Sequence, residues 1–139
     1  MCCAPPRGTT HVVLDTPAGL HGRQLKETLK RADKLLIPLQ PSLFDMQATQ
    51  DFVDDLKERR RAADLDIAVV GMRVDERTLA AERLHAFVQA LGLPVLTHLR
   101  DTQNYVKLAM QGLTLFDVLP SRVAKDVQAW APITQWLDR

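Results

Sequence analysis

Residues 11–22, HVVLDTPAGLHG, carry the clearest chemical signal in the sequence. A short apolar run ends in the carboxylate of Asp15, and Thr16, Pro17 and Gly19 follow it before a helical pattern begins. In open α/β sheets the binding site lies at the carboxyl ends of the strands, where a carboxylate commonly holds Mg²⁺ opposite the phosphates of a nucleotide. An aspartate is also an ordinary turn-former after a strand. The residues alone therefore leave both interpretations of Asp15 open.

Apolar runs rich in β-branched residues alternate along the chain with segments of helical periodicity. This alternation is typical of an α/β fold, and continuous apolar runs are typical of parallel strands covered on both faces. We therefore expect a three-layer, mainly parallel α/β domain over residues 11–139, after an irregular segment over residues 1–10. The predicted strands cover residues 11–15, 34–40, 66–72 and 93–99.

The segments between these runs predict helices with one apolar stripe each. The first passes through Leu25 and Leu29, the second covers residues 46–63, and the third covers residues 84–91. Capping residues place a fourth helix after Asp101 or Thr102 and end it near Gly112. A final helix is predicted to begin at Pro120 and to break or kink at Pro132, because proline removes a helical hydrogen bond.

Four stretches in order resemble the carboxyl-terminal half of the ParA/MinD family of deviant-Walker ATPases. They are VVLDTPAGLHG, ADKLLIPLQPSLFDMQAT, VVGMRVDERT and LRDTQNYVKLAMQGLTLFDVLPSRVAKD, and together they cover nearly all of residues 11–139. DTPAG resembles the family's Walker B and switch II element, and LLIPLQPS resembles its next core strand. The resemblance implies a P-loop-type fold and Mg²⁺-dependent ATP hydrolysis that switches a dimer on and off a DNA or membrane surface. The implied role is partitioning of plasmids, chromosomes or other cargo.

The same resemblance implies a set of site residues. Asp15 would be the catalytic and metal-binding carboxylate, and Thr16, Pro17 and Gly19 would form the switch. Residues near the nucleotide or a DNA-facing surface would be Arg73, Arg100 and Asp101, the last two beside the adenine base.

A salt bridge is the alternative for Arg73 and for Arg77, which follow the same predicted strand. Asp75 and Glu76 are the carboxylates nearest to them in sequence. Such a pair would be an ordinary surface feature.

The family's KGGxGK[ST] phosphate loop is missing, since none of the six glycines is followed by lysine. That loop cradles phosphates with backbone N–H groups and neutralises them with lysines. We therefore expect this chain alone to bind ATP and Mg²⁺ poorly and to hydrolyse ATP slowly or not at all, so the sequence leaves its standing as an enzyme open.

Three explanations of the missing loop remain open. The chain could be part of a full ATPase, or an inactive ParA-like interaction or regulatory module. The resemblance also implies that the central strand before the phosphate loop is missing. The chain could instead pair with another chain, or with a second copy of itself, that supplies this strand.

Charge and composition limit the expected partners. Eighteen Lys and Arg against seventeen Asp and Glu give a net charge of +1, so no global field attracts nucleic acid. We expect a homodimer and an adaptor or ParB-like partner. The local basic run Lys57, Arg59, Arg60 and Arg61 would add non-specific DNA binding, and the alternative for it is an ordinary solvated helix end. No apolar run is long enough to span a bilayer and no signal peptide is evident, so we expect a cytoplasmic protein without a membrane partner.

Three other kinds of site are not expected from the sequence. Adjacent Cys2 and Cys3 make a poor disulfide framework. No G-x-S-x-G motif signals a serine hydrolase. The four histidines show no zinc-site spacing, although His21 in the switch region could face a phosphate. These histidines are His11, His21, His85 and His98.

Overall fold

The computed structural model describes residues 5–17, 19–59 and 64–139. They belong to two compact units, the first ending at Arg31 and the second beginning at Ala32. The single domain expected over residues 11–139 stays a prediction. Residues 5–10 contain a turn but no helix or strand, while Cys2 and Cys3 lie outside the described residues.

The first unit contains helix α1 (Gly22–Leu29), whose predicted inward residues Leu25 and Leu29 are buried. The strand predicted over residues 11–15 is not formed, and that prediction is wrong. Val12 and Val13 are 59% and 87% exposed. A strand is stable when neighbours pair with it and cover its side chains, and these residues have neither form of support. Asp15 therefore lies in a loop.

The second unit is built on a three-stranded parallel sheet. Strands β1 (Lys34–Leu39), β2 (Asp66–Val74) and β3 (Val95–Arg100) lie in the order β1-β2-β3, close to three of the predicted runs. Central β2 is buried at four successive positions, from Ala68 to Gly71. This continuous burial confirms the α/β fold with a sheet covered on both faces.

Helices α2 (Leu43–Lys57) and α3 (Leu79–Leu91) cover one face of the sheet, and α5 (Pro120–Leu137) covers the other. Alternate residues of β2 serve the two cores, because side chains of a strand point to opposite faces. Val69 packs in the larger core with residues of α2 and α3, whereas Val70 packs with Leu99 and Ile133. None of the described helices is both long and apolar enough to cross a bilayer.

Helix ends follow the capping residues in most places. The hydroxyl of Thr78 accepts a hydrogen bond from the N–H of Ala81 at the start of α3, and Gly92 ends this helix with a φ of 72°. Helix α4 (Gln103–Ala109) begins after Thr102, whose hydroxyl accepts from the N–H of Asn104, as predicted. The predicted helix over residues 46–63 begins earlier, at Leu43, and residues 60–63 lie outside the described residues.

The last helix departs from the prediction in one respect. It begins at Pro120 as expected, but its non-helical residue is Val123 and the helix continues through Pro132. Ile133 and Trp136, which share one face of the helix after Pro132, are both buried. Their packing offsets the cost of the hydrogen bond that proline removes. The break predicted at Pro132 is therefore wrong.

Gly71 provides a test of packing inside the sheet. A Cβ at this position would lie 2.5 Å from Cδ2 of His98 and 3.1 Å from Cγ2 of Val74. We expect Gly71→Ala to lower the free energy of unfolding by about 1–3 kcal/mol, as overpacked cores do. Urea denaturation measures this change. His98→Ala should remove most of the penalty in the double variant, and an equal penalty in both backgrounds would contradict the steric explanation.

Candidate functional site

The loop that carries Asp15 is exposed. Asp15, Thr16 and Pro17 all lie at the surface of the first unit, and Ala18 is outside the described residues. Gly19 has a φ of 73°, in the left-handed region that glycine adopts without strain. Nδ1 of His21 lies 2.6 Å from the carbonyl oxygen of Gly19, which closes the loop before α1. Asp15 is therefore accessible to an ion, and His21 has a backbone partner.

An open depression of about 260 Å³ adjoins this loop within the first unit. The carboxylates of Asp15 and Glu27 and the guanidinium of Arg31 are its charged lining groups. A carboxylate such as Asp15 suits Mg²⁺, whose preferred ligands are oxygens. A phosphate cradle instead needs several N–H groups and cations, and here two carboxylates accompany one cation. The lining therefore fits a bound Mg²⁺ ion and does not fit the phosphates of a nucleotide.

Arg73 occupies an irregular end of β2. Gly71 pairs with His98 and Val74 pairs with Arg100, so β2 has one more residue than β3 in this interval. Arg73 lies in this bulge with a φ of 53°, a conformation that costs a non-glycine residue free energy and is frequent at functional sites.

Ion pairs accompany the irregular end of β2. Nε of Arg73 donates to Oδ1 of Asp101 at 3.3 Å, and both side chains are more than half exposed. Arg77 instead binds Asp75, with an Nη2 to Oδ2 distance of 2.8 Å. Hydrogen bonds from the Arg77 guanidinium lower the pKa of Asp75 to about 2. The alternative salt bridge is thus formed by Arg77, while Arg73 binds the carboxylate that follows β3.

Arg100 binds a buried carboxylate. Its Nε and Nη2 donate to the two carboxylate oxygens of Asp126 at 2.6 and 3.0 Å, and Nδ2 of Asn104 donates to the same group at 2.7 Å. Asp126 is 1% exposed. The hydrogen bonds from Arg100, above all, lower the pKa of Asp126 against the opposing effect of burial. The guanidinium of Arg100 therefore has a structural partner on α5, and its place beside an adenine base stays a prediction.

The structure sorts the predicted site residues into two groups. Arg73 lies near the carboxyl end of β2, Arg100 ends β3 and Asp101 follows it, all in the second unit. The loop residues belong to the first unit: Asp15, Thr16, Pro17 and Gly19.

Asp126 was not predicted from the sequence as a buried charged residue. An acidic residue on the apolar stripe between Val123 and Trp130 is nevertheless a signal for a buried ion pair.

The described part of the basic run is largely paired. Nζ of Lys57 lies 3.5 Å from Oδ1 of Asp54, and Nη2 of Arg59 lies 2.8 Å from Oδ2 of Asp55. Arg60 and Arg61 lie outside the described residues. These pairs reduce the local positive charge on which DNA binding through Lys57 and Arg59 would depend.

Comparison with known proteins gives a weak similarity. No protein-family model matches the chain. The chain is 26% identical over 109 residues to the maintenance of carboxysome distribution protein A of Halothiobacillus neapolitanus. The match covers 77% of this chain and 50% of the relative, so the chain spans about half the length of the curated relative that it matches. This similarity supports a ParA/MinD-like relationship and no finer assignment.

Truncating either donor to Asp126 should destabilise the fold to different extents. Arg100→Ala leaves a buried carboxylate without its cation, and we expect a loss of about 3 kcal/mol in the free energy of unfolding. Asn104→Ala removes one hydrogen bond and should cost about 1 kcal/mol. Urea denaturation compares the two, with Arg77→Ala as an exposed control expected to change stability less than either variant. Equal losses of unfolding free energy in Arg100→Ala and Asn104→Ala would contradict the expectation that the ion pair stabilises the fold more than the single hydrogen bond does.

The pKa of Asp126 also predicts a pH dependence. Because its folded pKa lies below its ordinary value, its stabilising contribution is present above about pH 4 and is lost as the pH falls through the folded pKa. Unfolding free energies of the original chain and of Asp126→Asn, measured from neutral to acid pH, should differ most at neutral pH and converge below about pH 4. A difference that stays constant over this range would show that Asp126 is not the titrating group.

Proposed function

We propose that this chain takes part in ParA-like positioning of a cargo, as the part that carries the switch loop and the adenine-side end of the sheet. The observation that carries this proposal is the similarity over 109 residues to a protein named for the maintenance of carboxysome distribution. A parallel α/β sheet covered on both faces supports it. The proposed activity is Mg²⁺-ATP-dependent switching of a dimer, completed by a phosphate loop that these 139 residues do not contain.

The Asp15 loop is the proposed switch. Its exposed carboxylate would hold Mg²⁺, which neutralises charge on the phosphates of a bound nucleotide. Thr16 and Pro17 connect Asp15 to Gly19, where the left-handed backbone gives the loop a point at which it can change direction. The chain's own contribution is therefore to position the ion and to respond to its presence.

The carboxyl ends of β2 and β3 are the proposed base-proximal surface. Arg73 and Asp101 form an ion pair that is more than half exposed on both sides. Such pairs contribute little to stability, so either group can exchange its partner for a ligand at small cost. Arg100 would help to hold this surface in place while its guanidinium stays bound to Asp126.

A second candidate function is an interaction or regulatory module that has no nucleotide hydrolysis. The missing phosphate loop favours it, as do large exposed apolar side chains. Leu43 and Phe44 at the start of α2 are 77% and 85% exposed, and Met110 after α4 is 83% exposed. Adjacent exposed apolar side chains, as Leu43 and Phe44 are in the sequence, are a feature of surfaces that bind partners.

Complementation tests the two candidates. The chain is mixed with a separately expressed amino-terminal half of a ParA-like ATPase that carries the KGGxGK[ST] loop, and phosphate release from Mg²⁺-ATP is measured. We expect each part alone to be inactive and the mixture to hydrolyse ATP, because the phosphate cradle and the Mg²⁺ carboxylate then meet in one site. Asp15→Asn should lower turnover by about 10²-fold or more, as loss of a charge-stabilising group does.

Asp33→Asn is the matched control, since it removes one exposed carboxylate before β1 and should leave turnover unchanged. A pair that associates, by light scattering or pull-down, without hydrolysing ATP would favour the interaction module. Turnover equal in Asp15→Asn and in the original chain would overturn the assignment of Asp15.

A further inference from the structure

Three potential metal ligands converge beside the sheet of the second unit. Glu76 follows β2, His85 lies on α3 and His98 lies on β3. It is the one group of three metal-ligating side chains with all donor atoms within 4.8 Å in the described part of the chain. Sequence spacing does not predict this group, because zinc motifs describe ligands that are close along the chain, and here β3, α3 and the segment after β2 supply one each.

The distances suit a divalent ion. Nδ1 of His98 lies 2.9 Å from Oε1 of Glu76, Nε2 of His85 lies 3.2 Å from Oε2 of Glu76, and the two ring nitrogens lie 3.1 Å apart. Zinc bonds of about 2.0–2.1 Å place tetrahedral ligand atoms about 3.3 Å from one another. An ion would therefore need displacements of only a few tenths of an ångström in these donor separations.

The ring of His98 is held by the sheet beneath it. Its Cδ2 edge lies over Gly71, where any Cβ would clash. Nε2 is buried and has no hydrogen-bond partner, while Nδ1 faces Glu76 and His85. One nitrogen of a nearly fixed ring is therefore directed at the other two ligands.

His85 supplies the adjustable part of the cluster. The two imidazoles stack with centroids 4.6 Å apart and ring planes 18° from parallel, and the side chain of His85 is 42% exposed. This exposure gives the ring room to turn its lone pair toward an ion. An open depression of about 360 Å³ lined in part by both histidines gives the ion a route from solvent.

We propose that Glu76, His85 and His98 bind one Zn²⁺, or another divalent transition-metal ion that prefers nitrogen and oxygen ligands, with water in the fourth position. The ion would link the end of β2 to α3 and β3. Metal-binding histidines usually donate their second N–H to an outer acceptor, and loss of such a partner costs roughly 10- to 100-fold in affinity. Because Nε2 of His98 has none, the site should be of moderate affinity.

Calorimetric titration with Zn²⁺ tests the site. Every protein in the series carries Cys2→Ser and Cys3→Ser, which removes thiols that would compete for the ion. We expect one Zn²⁺ per chain, and Glu76→Gln and His85→Gln should each weaken binding by more than about 10-fold, because a direct ligand contributes at least as much as an outer partner. Both positions are substantially exposed, so these variants should fold, which circular dichroism checks.

His11→Gln is the control, since it removes an imidazole far from the cluster in sequence and should leave the affinity unchanged. Visible absorption with Co²⁺ in place of Zn²⁺ gives a second readout, because tetrahedral Co²⁺ absorbs strongly and should lose that spectrum in Glu76→Gln and His85→Gln. Absence of saturable Zn²⁺ binding would overturn the proposal and leave a hydrogen-bonded His-Glu-His cluster. The proposal would also be overturned if the protein with only the two cysteine substitutions and both ligand variants bound Zn²⁺ with equal affinity.

Discussion

Burial of β2 on both faces is the constraint on which the second unit depends. Four successive buried residues, Ala68 to Gly71, need cover above and below the sheet. Helices α2 and α3 provide it on one face and α5 on the other. Because all three strands are parallel, their carboxyl ends share one edge, and the polar residues that follow β2 and β3 are brought together there.

The buried carboxylate of Asp126 determines which side chains at this edge of the sheet already have partners. Asp126 on α5 is buried, and an unpaired charge there would be strongly destabilising. Arg100 at the end of β3 and Asn104 on α4 satisfy it, so three elements are joined through one side chain. The same pairing occupies Nε and Nη2 of Arg100, and the exposed pair Arg73 and Asp101 is the more adaptable part of the surface.

Local patterns predicted the parts of the fold that depend on local chemistry. Apolar runs with β-branched residues located β1, β2 and β3, and helices begin after Thr102 and at Pro120 as predicted. The run over residues 11–15 has the same composition but forms no strand, because pairing depends on neighbours that composition does not encode. Nor does spacing along the chain reveal that His85 and His98 stack, since that contact depends on how α3 packs beside β3.

Several departures from regular structure lie in one short segment, residues 71–76. Gly71 makes room for the ring of His98, Arg73 takes a left-handed conformation in the bulge, and Glu76 turns back toward both histidines. Strain of this kind persists when surrounding packing holds it, and buried Val74 within the segment provides such packing. The segment serves two arrangements, the Arg73–Asp101 pair and the His-Glu-His cluster, whereas the Asp15 loop belongs to the other unit. The proposed nucleotide switching through Asp15 and the proposed metal binding through Glu76 therefore rest on separate residues, and an experiment can contradict one without contradicting the other.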